Sequence, residues 1–160
     1  MKKLIITTGI LLAGLLQANA QRPVSQNAIG LRLSLNETVG PEINYQRLLS
    51  DKNRLELGLG WKQTKHVDAF KLSGVYQWLW NIEGGFNWYA GVGASVGSWN
   101  DDHRDKSGAI LALAGQIGVE YHFNIPLQVF VDFRPEIYLT DYYKDNNFGP
   151  DFGLGARFKF

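Results

Sequence analysis

From Ala28 to the carboxy-terminal Phe160, apolar and polar residues alternate with a period of two in eight stretches. This is the signature of strands whose two faces meet different surroundings. The last stretch shows it cleanly: Phe152, Leu154, Ala156, Phe158 and Phe160 alternate with Asp151, Gly153, Gly155, Arg157 and Lys159. The third is as regular, with Leu55, Leu57, Leu59 and Trp61 set against Glu56, Gly58, Gly60 and Lys62. The pattern predicts strands over 28–35, 41–49, 54–62, 68–80, 86–98, 109–123, 127–139 and 151–160. Val75 and Leu79 interrupt the polar face of the fourth. Pro135 lies inside the seventh, where a residue without a backbone N–H predicts a bulge or a part projecting past the bilayer.

The links between stretches alternate too. Ser50–Asn53, Asn81–Gly85 and Asn124–Pro126 are short turns, whereas the others are longer and more polar, above all Trp99–Ser107 and Thr140–Gly149. Eight hairpin-linked strands predict an all-β, eight-stranded antiparallel up-and-down barrel. Short turns on one rim and long loops on the other are the arrangement of a transmembrane β-barrel, and the even strand count puts both ends of the barrel on the short-turn rim.

Alternation alone leaves two orientations. A soluble lipocalin-like binding barrel of the periplasm would turn its apolar face inward; a membrane barrel would turn it outward. Side-chain volume discriminates, because an eight-stranded barrel has a bore only wide enough for its own side chains. The apolar face carries Leu31, Leu57, Trp61, Tyr76, Trp78, Trp80, Trp88, Phe133 and Phe158, while the other face is rich in Gly, Ser and Ala. Small residues fit the bore and bulky ones fit lipid. Trp78, Trp80, Phe86, Trp88, Tyr121, Phe123, Phe158 and Phe160 fall toward the short-turn rim, and Trp61, Phe70, Trp99 and Phe152 toward the long-loop rim. Two such belts match the interfacial girdles of membrane barrels.

With that orientation the bore receives Glu42, Glu56, Glu120, Asp132, Glu136 and Asp151 together with Arg32, Lys62, Lys71, Arg134, Arg157 and Lys159. Buried charges are tolerated when paired. The expectation is a salt-bridged lumen centred on Glu120, Asp132, Arg134, Glu136 and Arg157, which lie on three neighbouring strands; a charged pore lining is the other possibility.

The start of the chain adds a destination. Met1-Lys2-Lys3, an apolar run from Leu4 to Leu16 and Ala18-Asn19-Ala20 form a secretory signal peptide over 1–20, with 21–160 as the barrel domain. A membrane helix would need ~20 apolar residues. Removing Lys2 and Lys3 leaves 14 of the 16 Lys and Arg against 15 Asp and Glu, a net charge of −1 that offers nothing to nucleic acid. There is no Cys, hence no disulfide and no thiolate metal site.

The whole segment after residue 20 resembles the small eight-stranded outer-membrane barrels of the OmpA/OmpX type, through its signal peptide, eight alternating strands, loop asymmetry and terminal aromatic strand. The closing Phe152–Phe160 is similar to the terminal signal by which such proteins are recognised by the barrel-assembly machinery, which implies that Phe160 is an assembly signal. Val129–Leu139 is similar to the penultimate strand of many small barrels of unassigned function. The resemblance implies an outer-membrane location with periplasmic termini, membrane lipid as a partner, no cofactor, and contacts with an extracellular ligand through loops 99–107 and 140–149, where Tyr142 and Tyr143 are candidate anchors.

Some barrels of this size resemble lipid-modifying enzymes of the outer leaflet. A deacylase of that type carries His-x-Ser on a strand, whereas His122 here is followed by Phe123 and Asn124. His66 and His103, with Asp68, Asp101, Asp102 and Ser98 near them, are the remaining candidates for acid–base chemistry, and no spacing brings a nucleophile, a base and an orienting acid together. The sequence therefore predicts a non-enzymatic barrel without catalytic or metal residues.

Overall fold

The structure is a computed structural model of the chain and describes residues 25–35, 40–63, 67–101, 105–140 and 147–160. Ten strand segments follow one another: β1 (Asn27–Ser34), β2 (Pro41–Ser50), β3 (Asn53–Gln63), β4 (Val67–Glu83), β5 (Phe86–Asp101), β6 (Lys106–His122), β7 (Leu127–Phe133), β8 (Glu136–Tyr138), β9 (Phe148–Gly149) and β10 (Phe152–Lys159). All pairings are antiparallel, and β1 pairs with β10, which closes the sheet into a barrel. At the short-turn rim the Asn27 and Phe160 backbones exchange hydrogen bonds of 3.2 and 2.9 Å.

Ten segments make eight barrel strands. The Phe133↔Ile117 register of β7 on β6 continues unshifted into Glu136↔Ala114 of β8. Phe152↔Phe133 likewise continues into Gly149↔Glu136. The bulge expected at Pro135 is therefore absent. Two prolines interrupt the ladder at the same level, since Pro150 stands opposite Pro135 in this register. Each lacks the N–H a ladder needs, so hydrogen bonding lapses while the strands stay aligned. Gly115 N–H still donates to the Pro135 carbonyl at 2.9 Å, and Arg134 N–H to that of Asp151 at 2.6 Å.

The register fixes the barrel's geometry. Stepping from partner to partner once around the wall runs Glu120, Phe130, Gly155, Arg32, Glu42, Gly60, Lys71, Gly97, Ile110, returning to β6 ten residues from its start. A shear of ten over eight strands corresponds to a strand tilt of about 40°, inside the range of membrane barrels. At that tilt a strand of 17 residues such as β4 or β6 rises roughly 40 Å along the axis, well beyond a hydrocarbon layer of ~30 Å, so β4–β6 form the tallest part of the wall.

Burial follows the alternation. Leu31 is 55 % exposed and Val131 61 %, whereas their neighbours Arg32 and Asp132 are 1 % and 2 % exposed. Polar inside and apolar outside is stable only where the outer medium is itself apolar, so the chain is a transmembrane barrel. Outward aromatics gather near the short turns, with Trp80 stacked on Trp88 at 4.2 Å and Tyr121 edge-on to Phe123 at 4.8 Å. Trp61 and Phe70 lie toward the opposite rim on the outward face. Trp99 does not join that belt: it falls on the inward parity of β5 and packs on Ile110, Ala112 and Tyr138, closing over the long-loop end of the bore. Much of the predicted loop Trp99–Ser107 is strand, because β5 runs to Asp101 and β6 begins at Lys106.

Candidate functional site

The bore brings most of the charged strand residues together. Nearest the short turns, Glu120 receives Arg54 Nη1 at 2.9 Å, Gln128 Nε2 at 2.6 Å and His122 Nε2 at 2.8 Å. Next along the axis, Arg157 donates to Glu56 at 2.6 Å and to Asn44 at 3.1 Å. Arg32 grips Asp132 at 2.7 Å and Asp151 at 2.8 Å. Further out, Arg134 lays its guanidinium against both oxygens of Glu42, at 3.0 and 2.5 Å. Toward the long-loop end, Lys71 reaches Glu136 at 2.9 Å, and Ser95 and Tyr138 donate to the same carboxylate at 2.8 Å each.

Two amides join three of these groups, and Asp151, shared by Arg32 and Arg134, links a fourth. Gln116 donates to Asp132 at 2.9 Å and to Glu56 at 3.2 Å, while its own oxygen accepts from Gln77, which in turn accepts from Arg54. In a water-poor interior an unmatched lone pair or N–H is expensive, so connecting the pairs matters as much as making them.

Each of the five residues expected at the centre of the lumen is buried there, but their partners come from elsewhere. Glu120, Glu136, Arg134 and Arg157 pair with Arg54, Lys71, Glu42 and Glu56, each three strands away around the ring. Neighbouring side chains on one wall point side by side across a narrow bore, so long ones meet groups from the facing wall. Some adjacent-strand contact remains, as in Arg134 to Asp151 at 3.6 Å. Arg54 completes the set. It lies on the same parity as Glu56, at the first position of the third alternating stretch, and that parity was the signal for it. Lys62 and Lys159, expected inside, are only half-buried.

Apolar inward residues were the harder part to read. Val75, Tyr89, Ile110, Phe130 and Tyr138 are buried in the bore. Val75 is the residue that blurred the polar face of its strand. Glycines opposite make the room. A Cβ at Gly155 would stand 2.5 Å from the Phe130 ring, and one at Gly58 would stand 2.5 Å from Glu42 and Ser73. The Arg157 guanidinium lies 3.4 Å over the Phe130 ring, so Phe130 is the floor on which that ion pair rests.

The second candidate place is the long-loop end. His66, Asp102, His103, Tyr142 and Tyr143 lie outside the described residues. Among the described residues, no group of three or more His, Asp and Glu could hold a metal ion. His122, on the other rim, is tied to Glu120.

Comparison by structure places the chain among small membrane barrels. The N-terminal β-barrel domain of Pseudomonas aeruginosa OprF superposes with a TM-score of 0.65 at 15 % identity, over 84 % of this chain and 95 % of that one. Neisserial surface protein A superposes with a TM-score of 0.57 at 14 % identity, over 84 % and 93 %. The attachment invasion locus protein Ail of Yersinia pestis superposes with a TM-score of 0.54 at 13 % identity, over 84 % and 93 %, and Ail is also known in complex with the heparin analogue sucrose octasulfate. No protein-family model and no curated relative matches the sequence. At these identities the shared property is the fold: an eight-stranded transmembrane barrel of the kind found in outer membranes.

Proposed function

We propose that the protein is a non-enzymatic integral barrel of the outer membrane, exported by its signal peptide, with both ends of the barrel in the periplasm, a closed bore and a contact role for its long-loop end. The observation that carries the closed bore is the cross-lumen network itself: five buried cations each hold a carboxylate from another part of the wall, so the ion pairs occupy the passage. Planar-bilayer recording of the purified protein is expected to show no stable open level. A steady, reproducible conductance state would overturn the closed bore.

Loops 99–107 and 140–149 are the surfaces offered to the outside, with Tyr142 and Tyr143 as anchors. Both loops carry more Asp than Lys and Arg, Asp101, Asp102 and Asp105 against Arg104 and Lys106 in one and Asp141 and Asp145 against Lys144 in the other. That charge suits a cationic or neutral ligand rather than a polysulfated one of the kind bound by Ail. Phe160 serves as the assembly signal read by the barrel-assembly machinery. It is 57 % exposed beside Asn27 on the closing seam, so its side chain adds little to the folded barrel. Deleting Phe160 is expected to lower the amount of folded, membrane-inserted protein several-fold in cells while leaving refolding into detergent micelles nearly unchanged. Equal folded yield in cells would count against the role.

A further inference from the structure

The aromatic belt at the short-turn rim is broken. It runs over β4, β5, β6 and β10, from Trp78 and Trp88 to Tyr121 and Phe158, and stops at β1, β2 and β3. In the gap the outward residues are Asn27, Arg47 and Leu55, paired in that order, with Tyr45 the next outward residue of β2. At the tilt given above, one residue along a strand is ~2.5 Å of height and one strand around the wall ~3 Å. On that scale Arg47 stands within about 3 Å of the level of Trp78, Trp88 and Phe158, the boundary between hydrocarbon and head groups.

Arg47 is exposed, and among the described residues it is the only charged side chain on the outward face at this belt or between the two belts. The turn Ser50–Asn53 beneath it adds one charge of each sign, Asp51 and Lys52. Among the described residues Arg47 donates only to the Asn27 side-chain oxygen, at 3.5 Å, and meets no carboxylate. The same oxygen accepts the Tyr45 hydroxyl at 2.6 Å. With that oxygen taken by two donors, the Asn27 amide nitrogen and the rest of the guanidinium are left to donate elsewhere.

We infer that this gap binds one phospholipid of the leaflet at the short-turn rim, Arg47 and the Asn27 amide donating to its phosphate and its acyl chains lying over Ile29, Leu31 and Ile43, with an anionic head favoured over one that carries an ammonium. The inference rests on the membrane-barrel reading above. Ile29, Leu31 and Ile43 are the exposed outward residues next above Asn27 and Tyr45 on the same two strands. The planar fork of an Arg matches two phosphate oxygens. An ammonium on the same head would meet Arg47 as a like charge, with no outward carboxylate at that level to receive it. Tyr45 holds Asn27 in place and leaves Arg47 no stronger partner than the lipid.

The test uses the full barrel in micelles titrated with phosphatidylglycerol or phosphatidylethanolamine and analysed by native mass spectrometry. The wild-type protein is expected to retain one phosphatidylglycerol, with severalfold weaker retention of phosphatidylethanolamine. Arg47→Gln changes one exposed side chain, so it should keep its heat-modifiable gel mobility and lose both the retained lipid and the preference between heads. Arg47→Gln/Leu127→Arg moves the cation to the outward face of β7, inside the aromatic belt, and should not restore retention. Equal retention by wild type and Arg47→Gln, or recovery in the relocated variant, would overturn the site while leaving the membrane barrel intact. Release of the lipid by inorganic phosphate would overturn a lipid as the occupant. Failure of the wild-type protein to insert into lipid bilayers would instead overturn the reading beneath it.

Discussion

Arg134→Ala is expected to destabilise the barrel by about 3–5 kcal/mol, the range seen when one partner of a buried ion pair is removed and the other is left charged and unpaired. Arg134 is 1 % exposed and touches both oxygens of Glu42, the Ser73 hydroxyl and, at 3.6 Å, Asp151. Without it Glu42, 2 % exposed, loses the cation that pairs with it in the bore. Equilibrium urea unfolding in lipid vesicles, followed by tryptophan fluorescence, measures the loss. The double variant Arg134→Met/Glu42→Leu removes both charges and keeps volume, and should recover most of it, because the penalty lies in the orphaned carboxylate rather than in the missing attraction. A loss below ~1 kcal/mol for Arg134→Ala would show that Glu42 finds other solvation in the bore.

Strand number, hairpin connectivity and the direction of each face were legible because each is written with a period of two. Leu55 to Lys62 and Phe152 to Lys159 alternate so regularly that one volume comparison, bulky against small, orients the whole sheet. The pairing inside the bore was not legible in the same way. Alternation says that Glu120 and Arg54 point inward, but which of several inward cations Glu120 meets depends on shear and bore width, quantities that arise only when β1 meets β10. Trp99 was misplaced for a related reason. An aromatic residue at the loop end of a strand looks like a girdle residue until its parity is fixed, and the parity of β5 continues three residues past the predicted end of the strand. Pro135 predicted a bulge because one proline in a paired strand disrupts it; Pro150, standing opposite in an unshifted register, could be matched with it only after closure.

Gly155→Ala is expected to be as damaging as losing an ion pair, at ~3 kcal/mol or more, although it adds a single methyl group. The reason lies in three consecutive dependencies. A Cβ at Gly155 would sit 2.1 Å from the Leu31 carbonyl oxygen, which is backbone held in the β1–β10 ladder, and 2.5 Å from the Phe130 ring. Phe130 cannot retreat without leaving the Arg157 guanidinium that rests 3.4 Å above it. Arg157 in turn holds Glu56, which is 1 % exposed and also accepts from the amides of Gln46 and Gln116. The seam that closes the barrel and the centre of the network would therefore be strained by the same atom. Gly74→Ala is the matched control. It lies on the outward face, where a Cβ would meet only the Leu57 side chain at 3.6 Å, and its effect should stay within ~0.5 kcal/mol. Adding Phe130→Ala to Gly155→Ala should recover little, because the Leu31 carbonyl remains in the way and Arg157 loses its floor. Urea unfolding of the three variants in vesicles decides the matter: if Gly155→Ala proves as mild as Gly74→Ala, the bore has slack at its closing seam and the tightly packed network described above is wrong at that level.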